Sequence, residues 1–279
     1  MSDSSAQNQN AADPATELLT GLSAYYEDYY RNCLGLPDWR VRVKMRLNEA
    51  ENYAGATISW LQTWYRRDFR DLTVLVVGAG TGAETIALCR MGARVVATEP
   101  FMKALHILRL RTVQDGEPSF FVVGAPGEML PFPDASFDFV YCSSVLEHTQ
   151  APLRCLDEML RVIRPDGAIF VEVPDYRFPY DSHYKLPWPP LVPRWLRAAY
   201  LWLRGRPTAF VDSLQFLNFA VIRRHLHNRG ASFIRYFPPH PPHWHTGRRF
   251  WRIMRRFSLL TGITPNTTLL IRKNADPIS

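Results

Sequence analysis

Residues 74–82, Val-Leu-Val-Val-Gly-Ala-Gly-Thr-Gly, constrain this chain more than any other stretch. Four consecutive apolar residues, three of them β-branched, suit a strand buried on both faces of a parallel sheet. Gly78, Gly80 and Gly82 then turn the backbone tightly toward a helix, and a side chain at any of them is expected to fill space that a ligand needs. A second apolar run, residues 94–98, ends at Glu99, where a carboxylate can accept hydrogen bonds from both hydroxyls of a ribose. Strand, glycine turn, helix, strand and acid together read as a nucleoside site. The turn alone does not choose the nucleoside, because Gly78 to Ala83 also fits the dinucleotide fingerprint.

Downstream, apolar runs alternate with helical patterns. A helix from Met102 to about Arg111 is followed by strands at 119–123 and 139–142, a helix from Pro152 to Ile163, a turn at 164–167 and a strand at 168–173. This alternation predicts a doubly wound α/β sheet. Ligands of such sheets lie beyond the carboxyl ends of the strands, which here are the glycine turn, Glu99, residues 126–129, residues 143–148 and residues 174–176.

Several further motifs accompany the glycine turn: Leu130-Pro131-Phe132-Pro133, Ser136-Phe137-Asp138, Leu146-Glu147-His148, and the run from Leu160 to Gly167. With them, residues 71–176 resemble a class I S-adenosylmethionine-dependent methyltransferase, of the small-molecule branch that includes the ubiquinone and menaquinone methyltransferases. The resemblance implies a Rossmann-like seven-stranded sheet whose antiparallel last strand is similar to residues 265–273. It also implies S-adenosylmethionine as cofactor, held by Gly78, Ala79, Gly80, Gly82, Glu99, Pro100, Phe101, Gly127, Glu128 and Ser143. The chain departs from the family at Pro126, where relatives carry an Asp that binds the adenine amino group. Glu128, or the backbone at Gly127 and Met129, is expected to take over, with Pro100 and Phe101 packing on the ring.

In domain terms the sequence predicts a disordered leader (1–15), a helical cap (16–70) and the methyltransferase domain (71–279) with insertions at about 177–212 and 238–262. In the cap, Asp38 is expected to open the second helix, and Tyr25, Tyr26, Tyr29 and Tyr30 read as packing residues rather than substrate contacts. No apolar run is long enough for a membrane span, and Met1 to Asn10 is too polar for a signal peptide, so a cytoplasmic protein is expected. Cys33, Cys89, Cys142 and Cys155 form no C-x-x-C pair, which argues against a zinc site or a disulfide framework.

Net charge is +7, but residues 174–260 hold 15 Lys or Arg against three Asp, so the remainder is acidic. Within the insertions, 195–206 and 248–260 pair arginines with Trp, Phe and Leu at helical spacing. Such segments either leave their arginines in water, lie peripherally on the anionic inner membrane face, or contact nucleic acid, the last disfavoured because no RNA-binding motif accompanies them. Membrane contact would suit a lipid-linked acceptor. His240, His243 and His245 have no accompanying Cys to complete a metal site, so no metal is expected.

Methyl transfer from a sulfonium is an in-line displacement for which the protein aligns donor and acceptor and, for a hydroxyl acceptor, takes up its proton. His148 and His183 are the histidines that the fold would bring near the methyl group and are the candidate bases; Asp175 and Tyr176 are weaker candidates for substrate contact. The sequence therefore predicts a methyltransferase acting on a small-molecule or lipid-linked acceptor, at oxygen. An RNA methyltransferase, an NAD-dependent oxidoreductase and a cofactor-free interaction protein are the alternatives.

Overall fold

The computed structural model describes residues 13–112, 120–187, 192–236 and 248–273. Most of the predicted leader and all of the His240, His243 and His245 cluster lie outside the described residues. The chain opens with α1 (Pro14–Glu27), which runs on into a π-helical turn, Asp28–Cys33, and then α2 (Trp39–Tyr65). Next come β1 (Thr73–Val77), α3 (Ala83–Arg90), β2 (Arg94–Thr98), α4 (Met102–Thr112), β3 (Phe121–Val123), β4 (Phe137–Ser143), α5 (Pro152–Val162) and β5 (Ile163–Pro174). The first insertion supplies β6 (Tyr180–Asp181), β7 (Leu186–Pro187), α6 (Arg194–Leu203) and α7 (Ala209–Ser213). Then follow α8 (Phe219–Asn228), β8 (Ser232–Tyr236), α9 (Arg248–Thr261) and β9 (Asn266–Arg272).

Seven strands form one sheet in the order β3-β2-β1-β4-β5-β9-β8, while β6 and β7 pair as a separate hairpin. Strands β1 to β5 are parallel, and β9 runs antiparallel between β5 and β8. The expected doubly wound sheet with an antiparallel final strand is thus present. Its order reverses between β1 and β4, the crevice where open α/β sheets place their ligands.

Residues of β1 alternate between two cores because a strand's side chains point to opposite faces. Val74 and Val76 join Ile58, Leu61 and Tyr65 of α2 and Ile86 of α3, whereas Leu75 and Val77 join Leu156 and Met159 of α5 and Ile222 and Leu226 of α8. A third core lies off the sheet. It unites Leu18, Leu22, Tyr26 and Tyr30 of the cap with Tyr176 and with Tyr184, Leu186, Leu201, Val211 and Leu214 of the first insertion. Cap and insertion are therefore one packed layer over the carboxyl ends of the strands.

Three local expectations change. Asp38 precedes α2 but makes no side-chain cap; its carboxylate instead binds the Arg42 guanidinium at 2.7 and 2.9 Å. Strand β4 starts two residues earlier than expected, and β5 absorbs the predicted turn at 164–167. The cause is early pairing: Ala135 and Ser136 donate to the carbonyls of Arg161 and Val162, and Phe137 pairs with Ile163 before the register shifts. In α9, whose apolar residues recur at helical spacing at Ile253, Phe257 and Leu260, Phe257 packs on the Phe178 ring while Ile253 and Leu260 are exposed.

Phe139 is fully buried, with the rings of Tyr65 and Phe69 at 4.8 and 5.1 Å. Phe139→Ala is expected to cost about 3–5 kcal/mol in urea denaturation, the range for removing a buried aromatic ring. A loss below about 1 kcal/mol would show that this core collapses to fill the gap.

Candidate active site

The glycine turn is fixed by hydrogen bonds from both sides. Ala79 donates to the Thr98 carbonyl at 2.9 Å, and Gly80 donates to Glu99 Oε2 at 2.8 Å. The other carboxylate oxygen of Glu99 accepts from the Phe101 N–H at 2.8 Å. Burial raises the Glu99 carboxyl above its ordinary pKa, and these two backbone donors oppose the shift. Each oxygen keeps a lone pair, as an acceptor for two ribose hydroxyls requires.

All three glycines of the turn have positive φ, but they do not serve one purpose. A Cβ on Gly78 would lie 2.6 Å from Val145 Cγ2, and one on Gly82 would lie 2.6 Å from Leu108 Cδ1. Only at Gly80 would a Cβ meet nothing within 4 Å. The expectation that every glycine of the turn clears space for a ligand is therefore corrected. Gly78 and Gly82 permit close packing, and Gly80 faces open space beside Glu99.

Around this opening, Pro100, Phe101, Pro126 and Met129 are exposed at the carboxyl ends of the neighbouring strands β2 and β3. Glu128 does not face the opening: its Oε1 accepts from Gln150 and Ala151 at the start of α5, at 2.7 and 3.3 Å. Gly127 is a packing glycine, since its Cβ would lie 2.6 Å from Cys155 Sγ. Ser143 donates weakly to Glu172 at 3.4 Å, at the end of β4. Of the residues expected around the adenine, Pro100 and Phe101 are exposed beside the glycine turn, while the Glu128 carboxylate binds the start of α5.

Helix α1 closes the site from above. The Tyr26 and Thr81 hydroxyls are 2.7 Å apart, and the Tyr25 ring lies 6.4 Å from that of Phe101. Through the π-helical turn, Tyr29 also reaches inward, its hydroxyl 3.0 Å from His183 Nδ1. Two of the four tyrosines read as packing, Tyr26 and Tyr29, thus make polar contacts as well. The signal lay in the residue type, since a buried tyrosine hydroxyl needs a partner.

His148 and His183 are brought together, as expected, with ring centroids 5.6 Å apart. His148 follows β4 in a short 3-10 turn, while His183 is carried by the β6–β7 hairpin. The hairpin turn is held by Asp181 Oδ1, which accepts from the His183 and Tyr184 N–H groups at 2.9 and 2.6 Å. Between the two rings lies a residue not singled out from the sequence as reactive, Glu147, whose side chain is 0% exposed. Both of its carboxylate oxygens and His183 Nε2 are buried without a hydrogen-bond partner among the described residues. Burial pushes the Glu147 carboxyl up to about 8 and pushes His148 and His183 down to about 4 and about 3. At neutral pH the cluster is therefore close to uncharged, which is how the fold tolerates it without a counter-ion.

Asp175 is withdrawn from the site, bound to Arg177 at 2.9 and 2.5 Å. Tyr176 stays near the cluster, its hydroxyl buried without a partner among the described residues.

Residues 75–171 match the family model described as a methyltransferase domain. Over 125 residues the chain is 38% identical to a demethylmenaquinone methyltransferase of Clavibacter sepedonicus, covering 43% of this chain and 50% of that protein. It is 32% identical over 98 residues to a ubiquinone biosynthesis O-methyltransferase of Xylella fastidiosa (strain M23), covering 35% and 40%. The chain thus spans about half the length, or less, of these curated relatives. Among solved structures, magnesium protoporphyrin IX methyltransferase from Synechocystis PCC 6803 with bound SAH shares the fold, with a TM-score of 0.53 at 14% identity over 93% of this chain and 100% of that one. Residues 75–171 are thus a methyltransferase domain by their family match, and the sheet that contains them has the fold of the S-adenosylmethionine-dependent enzymes.

Gly78→Ala and Gly80→Ala should part company in calorimetry. Both strain a positive φ, at about 1–2 kcal/mol, but only Gly78→Ala also overpacks, so its melting temperature should fall further. Gly80→Ala should instead weaken S-adenosylhomocysteine binding. Glu99→Ala should weaken it by about 1–3 kcal/mol, the cost of unpaired hydrogen-bonding groups, and an unchanged affinity would remove Glu99 from the ribose site.

Proposed function

We propose that this protein transfers a methyl group from S-adenosylmethionine to a hydroxyl of a small, lipophilic acceptor. The observation that carries the proposal is the juxtaposition of two half-sites: Glu99 pinned to the open Gly80 turn, and the Glu147, His148 and His183 cluster roofed by aromatic rings. Gly78, Ala79, Gly80, Gly82 and Ser143 shape the nucleoside side, Glu99 accepts from the ribose hydroxyls, and Pro100, Phe101 and Met129 flank the adenine in place of the missing Asp. When bound, the cofactor supplies an activated methyl and a good leaving group.

The chain's own residues then align the acceptor and exclude water. Tyr29 and Phe210 give the acceptor side flat apolar walls, Phe210 lying 5.7 and 5.4 Å from the rings of His148 and His183. An aromatic acceptor ring suits these walls, and the quinone-pathway names of the relatives support the same chemical class. Its hydroxyl would point at His148 and His183, the catalytic residues of this proposal, whose unprotonated ring nitrogens accept its hydrogen bond and orient its oxygen; burial makes both rings too weakly basic to keep the proton, which passes on to water.

A lipid-linked acceptor is favoured by one further observation. Trp195, Leu196, Trp202 and Leu203 form a stripe along α6 that faces outward, with Trp202 and Leu203 74% and 73% exposed. On α9, Ile253, Leu259 and Leu260 are likewise exposed among Arg252, Arg255 and Arg256. Among the described residues no helix is long and apolar enough to cross a membrane, so contact through 195–206 and 248–260 would be peripheral.

The central test is transfer of radiolabelled methyl from S-adenosylmethionine to hydroxylated aromatic acceptors with and without an isoprenoid tail, beside calorimetric titration with S-adenosylhomocysteine and NAD. Binding of NAD without S-adenosylhomocysteine, or labelling of RNA alone, would overturn the proposal. The protein should also co-sediment with anionic but not zwitterionic vesicles, and Trp195→Ser with Trp202→Ser should reduce that at least tenfold without changing S-adenosylhomocysteine affinity. Sedimentation unaffected by the double substitution would rule out α6 as the contact.

A further inference from the structure

We infer that Glu147, His148 and His183 form a binding site for one divalent transition-metal ion of the zinc class. The sequence pointed to no metal, and in it His148 and His183 stand 35 residues apart on different elements. The fold closes that distance. Glu147 Oε1 lies 3.9 Å from His148 Nε2 and 3.9 Å from His183 Nε2, and one ligand atom from each residue falls within 4.8 Å of the others. In a tetrahedral zinc site with bonds of about 2.0–2.2 Å, ligand atoms are about 3.3–3.5 Å apart, so each Glu–His pair needs to close by only about 0.5 Å.

The state of these groups points to a ligand. A carboxyl group with 0% exposure whose two oxygens have no partner among the described residues, and an imidazole at 10% exposure whose Nε2 has none, would each cost free energy if left so. Both are aimed at the same point. A cation there would satisfy the Glu147 oxygen and the His183 nitrogen at once, which no single hydrogen-bond donor among the described residues does. Two imidazoles and one carboxylate are the donor set of three-ligand zinc sites, and they leave a fourth position open.

The surroundings have the order that metal sites need. The Tyr29 hydroxyl at His183 Nδ1 fixes the ring so that Nε2 turns toward Glu147. Gln215 donates to the Glu147 carbonyl at 2.7 Å, and Asp181 holds the backbone at His183, so two of the ligands sit on braced segments. His148, at 37% side-chain exposure, is the open edge through which an ion can enter. If the methyl-transfer proposal above is correct, on which this point alone rests, the fourth position receives the acceptor hydroxyl, and His148 and His183 meet it through the ion instead of directly. The ion would then lower its proton affinity, the proton passing to water.

The test uses the full chain, freed of metal with a chelator and titrated with Zn2+ by calorimetry and with Co2+ by visible absorption. The expected result is one ion per chain with a d–d spectrum of low symmetry, and loss of at least tenfold in affinity in Glu147→Gln and in His183→Ala. Tyr29→Phe, a milder change, should cost about 10–100-fold, the usual effect of removing a group that orients a ligand. Failure of the wild type to bind either ion would overturn the inference. So would Glu147→Gln and Tyr29→Phe binding as the wild type does, which would place the ion elsewhere. S-adenosylhomocysteine affinity, measured on the same preparations, should be retained in all variants, which also controls for folding. A wild type that binds Zn2+ in this way but not S-adenosylhomocysteine would sink the methyltransferase proposal and leave the metal site standing.

Discussion

The pair of hydrogen bonds from Gly80 and Phe101 to Glu99 organises the molecule. It ties the end of β2 to the turn after β1, and so fixes the relation between the two strands that border the ligand crevice. The same carboxylate has acceptor capacity left over, so under the proposed function structure and ribose recognition share one side chain. The three glycines divide the remaining work, two by allowing Val145 and Leu108 to approach and one by standing clear.

Much of this was legible in the sequence. A run of β-branched residues before a glycine turn can satisfy its backbone and its apolar faces only in a parallel, twice-covered strand, so β1, α3 and β2 followed from local pattern. The antiparallel final strand was equally readable, from resemblance. Less legible were the contacts made across long separations. Glu147 looked like one residue of a familiar Leu-Glu-His motif, and nothing local disclosed that it would be wholly buried between two histidines. Glu128 was misassigned because a carboxylate near a ligand loop can serve an adjacent helix start as well as a ligand, and spacing does not separate the two. Tyr26 of α1 and Tyr29 of the π-helical turn were read by their rings alone; the Tyr26 hydroxyl meets Thr81, and Tyr29 reaches His183 from a turn that 3.6-residue periodicity does not describe.

Charge was informative in sum and misleading in detail. The basic stretch was correctly located, but simple amphipathic packing would turn apolar residues inward. On α6 the largest of them turn outward instead, because the third core already takes its inward contact from Leu201. Arg197, meanwhile, lies 3.7 Å over the Phe216 ring, so its guanidinium is used in packing rather than offered to solvent.

That third core divides the protein along a second line. The matched methyltransferase segment ends at residue 171, yet His183, Phe210 and the tyrosines of α1 all lie outside it. The glycine turn and Glu99 are therefore encoded in one contiguous stretch, and the groups that surround Glu147 and His148 are drawn from segments on either side that pack on each other. Such an arrangement lets substitutions accumulate in the roof without disturbing the floor. Under the proposed function, the acceptor side can change while the glycine turn and Glu99 stay as they are.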